Sequence, residues 1–269
     1  MTASHRPQPK SHFDITRSTV RSAPLARTEP PYSGEHHALR DAVEMRRLEV
    51  TALLPDFSLH QAAHMVPQTE LFDRAVSGFA RGTVLATPNG PCAIEDLMPG
   101  DPVQSSAGPQ QVLWIGSTTL LSGQAGAASL LNGLIRVTGD ALGRGRPSHD
   151  MMFGPAAAVL HNPPQMRVGT GEGRVLTPLA DFIDGVSVFR VTPPSAVRVY
   201  HLMLRKHAVV TAGGLEVESY HPGSGGRIAQ MGSQTQSLFM SLFPGIAGPR
   251  DFGPLGFPRV EREMLEGLG

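Results

Sequence analysis

Cys92 is the only cysteine in this chain of 269 residues. A lone thiol forms no intramolecular disulfide and gives no basis for a cysteine metal site. It is either a buried inert side chain or a nucleophile for acyl transfer. The chain also holds 11 histidines. His60 and His64 are four residues apart, a spacing that places both on one helix face. No His-Glu-x-x-His pattern accompanies them, so a metal pair is not expected. His149, His161, His201 and His207 fall in the middle of the chain, where a histidine could serve as general acid or base. Ser77 offers a hydroxyl just ahead of Gly78-Phe79-Ala80-Arg81-Gly82-Thr83. A hydroxyl becomes a nucleophile when a nearby base takes its proton.

Such groups need a frame, and the sequence predicts a β frame. Strand-length apolar runs recur between turns from Gly78 to about Gly223. They include residues 83–87, 111–115, 134–137, 186–191, 197–204 and 208–212. These runs are rich in β-branched residues and bounded by Gly, Pro and Asn. Pro88-Asn89-Gly90 is a strong turn signal. Long helical periodicity is absent, so the fold class is all-β. Upstream, residues 46–77 read as a short lead-in, with an edge strand at residues 48–54 and a helical turn at residues 69–76. Residues 1–45, with prolines at 7, 9, 24, 30 and 31, read as a disordered or adaptable arm; its His36 and His37 are expected to be solvated. The tail, residues 224–269, opens on Ser224-Gly225-Gly226, a flexible link. Its apolar run at residues 237–244 is expected to pack on the β domain as a short helix, with another short helix at residues 260–265.

Composition narrows the function classes. Hydrophobic residues make up 40% of the chain, with 30 glycines, 24 prolines and 6% aromatics, which suits a globular, turn-rich protein. Lys+Arg and Asp+Glu both number 23. That balance gives no electrostatic case for nucleic acid or an anionic membrane as partner. No apolar run approaches the ~20 residues of a spanning helix, and the basic N-terminus lacks the apolar core of a secretory signal. A cytoplasmic location is the default expectation, with leaderless export an alternative. No residue pattern implies a cofactor.

Four segments in order carry a family resemblance across residues 79–222. They are residues 79–83 with 94–103, residues 112–116, residues 154–160, and residues 200–210 with 216–222. Together they resemble bacterial Hint domains, the hedgehog/intein self-processing fold. The resemblance implies a horseshoe of short strands and a nucleophile, cysteine or serine, at the position of Gly78. It implies Ser-Pro-x-His where this chain has Gly154-Pro155-Ala156-Ala157, so the leaving-group histidine is replaced by Ala157. His207 stands where the resemblance places an assisting residue. Gly78, Thr83, Ala157 and His207 therefore mark a vestigial centre, and Ser77, His161 and His201 are candidate substitutes. Inteins end in His-Asn, and this chain ends Gly267-Leu268-Gly269, so splicing is not implied.

Three functions follow as expectations. The first is a Hint scaffold whose self-processing residues are largely lost and which binds an unknown protein partner. The second is residual autoproteolysis near Ser77 and Gly78, releasing the N-terminal arm. The third is an accessory to a secreted or surface protein.

Overall fold

A computed structural model describes residues 44–121, 123, 129–163, 173–223, 228 and 230–261. The N-terminal arm, the Ser224-Gly225-Gly226 link and most of the terminal segment at residues 260–265 lie outside the described residues. Fifteen strands form one sheet that curls into a half-barrel. They are β1 (Met45–Leu53), β2 (Leu59–Pro67), β3 (Phe79–Ala80), β4 (Val84–Leu85), β5 (Cys92–Ala93), β6 (Pro102–Ser105), β7 (Gly108–Leu120), β8 (Leu134–Val137), β9 (Met151–Phe153), β10 (Ala158–His161), β11 (Val175–Pro178), β12 (Val188–Val191), β13 (Val197–Leu204), β14 (Val209–Ala212) and β15 (Leu215–Glu218). Among the described residues the longer helices are α1 (Glu70–Val76) and α2 (Ser233–Met240). No helix among them is long and apolar enough to cross a membrane.

The 13-residue β7 is the frame. Its first residues pair with β6, and its remainder pairs antiparallel with β13 on one side and β1 on the other. One half of the sheet runs β11-β10-β15-β14-β6 and the other β13-β3-β9-β8-β12, with β7 joining them. Met203 pairs with Trp114 and Leu204 with Val112, so the extra residue, Leu113, lies on β7 where it passes between the halves. Such bulges bend a strand and increase its twist, which lets the sheet curl. Residues inside the curl, including Phe79, Leu85, Val103, Ile135, Phe153, Leu202 and Val217, form the main core.

The lead-in segment differs from its sequence reading. The β1 strand is interior, paired with both β2 and β7, and β2 forms the edge. In β1, Leu48, Val50 and Ala52 are buried while Arg47, Glu49 and Thr51 alternate with them. That period of two is plain. In β2 the mixture of Ala, His, Gln and Met obscures it. His60 and His64 sit on this strand and not on a helix; four residues apart, they still share a face, because the strand period divides four.

A second core fills the space between the β1–β2 hairpin, α1, α2 and the outer surface of β7. Trp114, the one tryptophan, is its centre. The indole Nε1–H donates to the Leu242 carbonyl. Phe243 lies 4.7 Å and Tyr220 5.7 Å from it, ring centre to ring centre. The indole also lies across Gly116, where a Cβ would meet it at 2.2 Å. Only glycine at this place on β7 leaves room for the ring. The helix in the tail, α2, covers only the first half of the apolar run at residues 237–244 and starts earlier, at Ser233; Phe239 on it, and Leu242 and Phe243 in the turn after it, are buried.

Phe243→Ala is expected to cost about 3–5 kcal/mol, the usual loss for deleting a buried aromatic side chain. Urea unfolding checks the size. The single-tryptophan fluorescence should shift to the red in the variant before unfolding, because Trp114 loses one covering ring.

Candidate functional site

Helix α1 ends at Ser77, whose Oγ donates to the Asp73 carbonyl at 2.6 Å. That bond returns the serine hydroxyl to the helix end, and Ser77 is fully buried. Asp73 is itself held by Arg46 Nη1 at 2.9 Å, Ser129 Oγ at 2.6 Å and the Leu130 N–H at 2.9 Å. The helix end, and with it the Ser77–Gly78 peptide, is anchored from three directions.

The turn at residues 154–157 closes on this peptide. The Ala156 N–H donates to the Ser77 carbonyl at 2.9 Å, and the Gly154 N–H donates to the Gly78 carbonyl at 3.2 Å. The next residues continue as a strand pair, with Phe79 opposite Phe153. A Cβ on Gly154 would stand 2.0 Å from the Ser77 carbonyl oxygen. The serine that the family resemblance implies at that position has no room here. Ala157 lacks any group to protonate an amine; its N–H donates back to Gly154 and its carbonyl accepts from Leu179.

His201 occupies the space in front of Gly78. A Cβ on Gly78 would meet Cε1 and Nε2 of its ring at 2.8 Å. The ring is wedged edge-on against Phe79 at 5.7 Å and Tyr220 at 5.4 Å. Its Nδ1 accepts the Leu202 N–H at 3.2 Å, so the proton of the neutral ring sits on Nε2. Burial pushes its pKa from the ordinary 6.5 down to about 3, because an imidazolium there would lose its water. His201 is therefore a neutral ring near pH 7.

His207 lies in a second polar cluster. Its Nε2–H donates to Glu218 Oε1 at 2.9 Å, and its Nδ1 accepts the Gly256 N–H at 2.9 Å. Both ring nitrogens are committed. Arg259 Nε donates to the same Glu218 oxygen at 2.8 Å, and its Nη2 donates to the His221 carbonyl at 2.6 Å. Burial would raise the Glu218 carboxyl, but the bond from His207 and the Arg259 charge outweigh it and hold the group below its usual range. The His221 ring lies 5.1 Å from that of His207, and burial pushes its pKa down. Glu218 and Arg259 had no site role in the sequence reading. Strand parity on β15 sets Leu215 and Val217 towards the main core and Glu218 on the other face with Glu216, so alternation gave no signal for its burial; Arg259 is 41 residues further on, in the tail, with no local signal.

The remaining candidates lie apart from the 77–78 peptide. His161 Nε2 bonds Thr177 Oγ1 at 2.8 Å, and its ring meets Phe182 at 5.2 Å. Its pKa is lowered by burial and then by the Arg146 charge. Thr83 donates to the Ala80 carbonyl at 2.7 Å, closing the turn after β3. Cys92 pairs with Leu85 in a short hairpin. Burial raises its thiol, and nearby Asp96, Asp101 and Glu95 raise it further, the reverse of what activates a nucleophile. His149 is exposed and bonds Ser148. Among the described residues no three His, Cys, Asp or Glu side chains gather as a metal site.

A cavity of about 260 Å³ opens beside the peptide. Ala156, His201, Tyr220, Glu218 and Arg259 line it, with Arg74 at the rim. The profile of the Hint domain matches residues 77–224. The chain belongs to the Hint-domain family. Two crystal structures of the MchDnaB-1 intein, one of them a variant, resemble it at 14% identity with TM-scores of 0.30 and 0.29. They cover 54% and 55% of this chain and the whole of the intein. No curated protein gives a significant match. The family match begins at the end of α1, so the β1–β2 hairpin and α2 are additions to the Hint-domain segment.

Two measurements check this geometry. Gly78→Ala is expected to lose about 1–3 kcal/mol of stability, the range for forcing a methyl into a packed site. In a His201→Ala background the same change should cost less; an equal cost in both would show that the ring does not restrict position 78. The second concerns acid. The unfolded state binds a proton at His201 below about 6.5 and the folded state only near 3, so this stability is full above pH 6.5 and declines as pH falls towards 3. His161 and His221 act in the same direction. His201→Asn should flatten the fall in urea midpoint between pH 6.5 and 4.5, a window above the range where Glu218 takes up its proton.

Proposed function

We propose that this protein is a Hint scaffold retired from self-cleavage, which now uses the old centre as a binding surface for a protein partner. One observation carries the reading: the His201 ring stands where a nucleophilic side chain at position 78 would begin. Cleavage by the family's chemistry needs a thiol or hydroxyl to attack the Ser77 carbonyl. Gly78 supplies neither, and the space is filled. The two carbonyls around the peptide, those of Ser77 and Gly78, accept main-chain N–H bonds from the opposing turn. The peptide is held like a rung of the sheet.

Ser77 is a poor substitute. Its hydroxyl is engaged with Asp73 and buried, and it would have to attack the carbonyl of Val76, inside the helix end. His207 has no free nitrogen with which to accept a proton. The binding part of the reading rests on the cavity beside the peptide. It presents the Arg74 and Arg259 cations, the Glu218 carboxylate and the buried rings of His201, Tyr220 and His221. Mixed charge around an apolar floor suits a polar chain segment of a partner more than a single ion.

The purified full-length chain, incubated for a day with and without a thiol and hydroxylamine, should keep its intact mass in every tube. A fragment beginning at Ser77 or Gly78 would reject the reading and restore autoproteolysis. In that event Ser77→Ala separates a serine-dependent break from any other.

A further inference from the structure

We propose that the outer edge of β2 is a self-association surface, and that its occupant is β2 of a second copy of this chain, paired antiparallel about a twofold axis at Ala62. Among the described residues β2 pairs only with β1, so its other edge is open. The hairpin is unbroken, with nine consecutive pairs and no register shift. The strand, Leu59–Pro67, carries no Lys, Arg, Asp or Glu. Natural sheets blunt an open edge with charges, bulges or proline; here Pro67 alone does so, at the far end.

The hydrogen-bond parity of the edge is fixed by its neighbours. Leu54 N–H donates to the Ser58 carbonyl at 2.9 Å, and Gln68 N–H donates to the Glu44 carbonyl at 2.8 Å. With the register between them, the even-numbered residues of β2 bond β1. The N–H and C=O groups of Leu59, Gln61, Ala63 and Met65 therefore point outward. The side chains of those same four residues are exposed, while the opposite face meets α2 and the second core.

A twofold axis at Ala62 makes these groups complementary. Gln61 then exchanges both bonds with the partner's Ala63, and Leu59 exchanges both with the partner's Met65. Outward groups meet outward groups, as an antiparallel ladder requires. On the exposed face, Leu59 (47% exposed) and Met65 (55%) pair with each other twice across the axis. Phe57, 77% exposed at the hairpin turn, falls beside the partner's Pro67. Of the nine large apolar side chains exposed among the described residues, Met45, Phe57, Leu59 and Met65 lie on this one hairpin. That concentration favours a second copy over a charged partner, because no charged side chain of β2 would be left unpaired. A single strand pair is a small interface, so the dimer should depend on concentration in the micromolar range (about 1–100 μM).

Sedimentation equilibrium of the full chain from about 1 to 200 μM tests this, bracketing that affinity range. The expected result is a monomer–dimer equilibrium. Ala63→Pro removes one outward N–H and leaves every bond to β1, so it should weaken dimerisation at least tenfold with an unchanged urea midpoint. Gln61→Lys, which places like charges near the axis, should do the same. Ala62→Cys reads the register: directly opposed residues of a non-hydrogen-bonded pair lie about 4.5 Å apart, within disulfide reach, so mild oxidation should give a covalent dimer that the native chain does not give. A monomer at every concentration, a dimer indifferent to Ala63→Pro and Gln61→Lys, or a dimer that never crosslinks at position 62 would each overturn the proposal.

Discussion

A buried neutral imidazole resting against a bare glycine is the contact on which the centre of this molecule depends. His201 is carried by β13, which is fixed along its length by β7. Gly78 is carried by the turn from α1, which is fixed by Asp73 and its three partners. The two supports bring the ring and the backbone so close that no side chain fits between them. A second bare position, Gly154, lets the opposing turn close on the same peptide from the other side. The two glycines thus make this place a packed joint, and close packing leaves little room there for even one added methyl.

The charged groups near this joint obey the same economy of space. Glu218 is almost wholly buried, and a lone carboxylate there would be costly. His207 from one side and Arg259 from the other satisfy it. Arg259 belongs to a tail segment that runs beside β11, where Leu176 N–H donates to the Pro258 carbonyl and Val260 N–H to the Leu176 carbonyl. The tail is therefore tied to the family fold by a short backbone ladder and by one ion pair, buried at Glu218 and open to water at Arg259. Gly256 packs against the backbone carbonyl of His207 at a distance no Cβ would permit. These contacts join the C-terminal addition to the cavity wall, so the surface offered there is made jointly by the Hint-domain segment and its extension.

The N-terminal addition extends the fold in another direction. β1 lies along β7 on the side opposite β13, and its Leu48, Val50 and Ala52 form one wall of the second core. Leu48, Val50 and Val66 complete the cover over the Trp114 surface of β7 that Tyr220 and Phe243 begin. Covering it moves the open edge of the sheet from β7 outward to β2. The fold has solved one exposure and created another.

Much of the frame was legible in the residues. Short β-branched runs between Gly and Pro turns gave the all-β class, because the period and length of a strand are local properties. The order of the four Hint segments, the side-chain-poor positions 78 and 157 and the apolar run that docks at the end of α2 were all visible in the chain. The hairpin at residues 45–67 was half visible: β1 alternates cleanly, while the Ala, Gln, His and Met of β2 carry little contrast between its faces. The placement of His201 could not be read, because its spacing from Gly78 in sequence, 123 residues, says nothing of distance in space. Nor could the sharing of Glu218 by His207 and Arg259, which joins a strand, a turn and the tail. Local pattern determined which segments become strands and which reactive groups are missing. Long-range packing alone decided what fills the space those groups left.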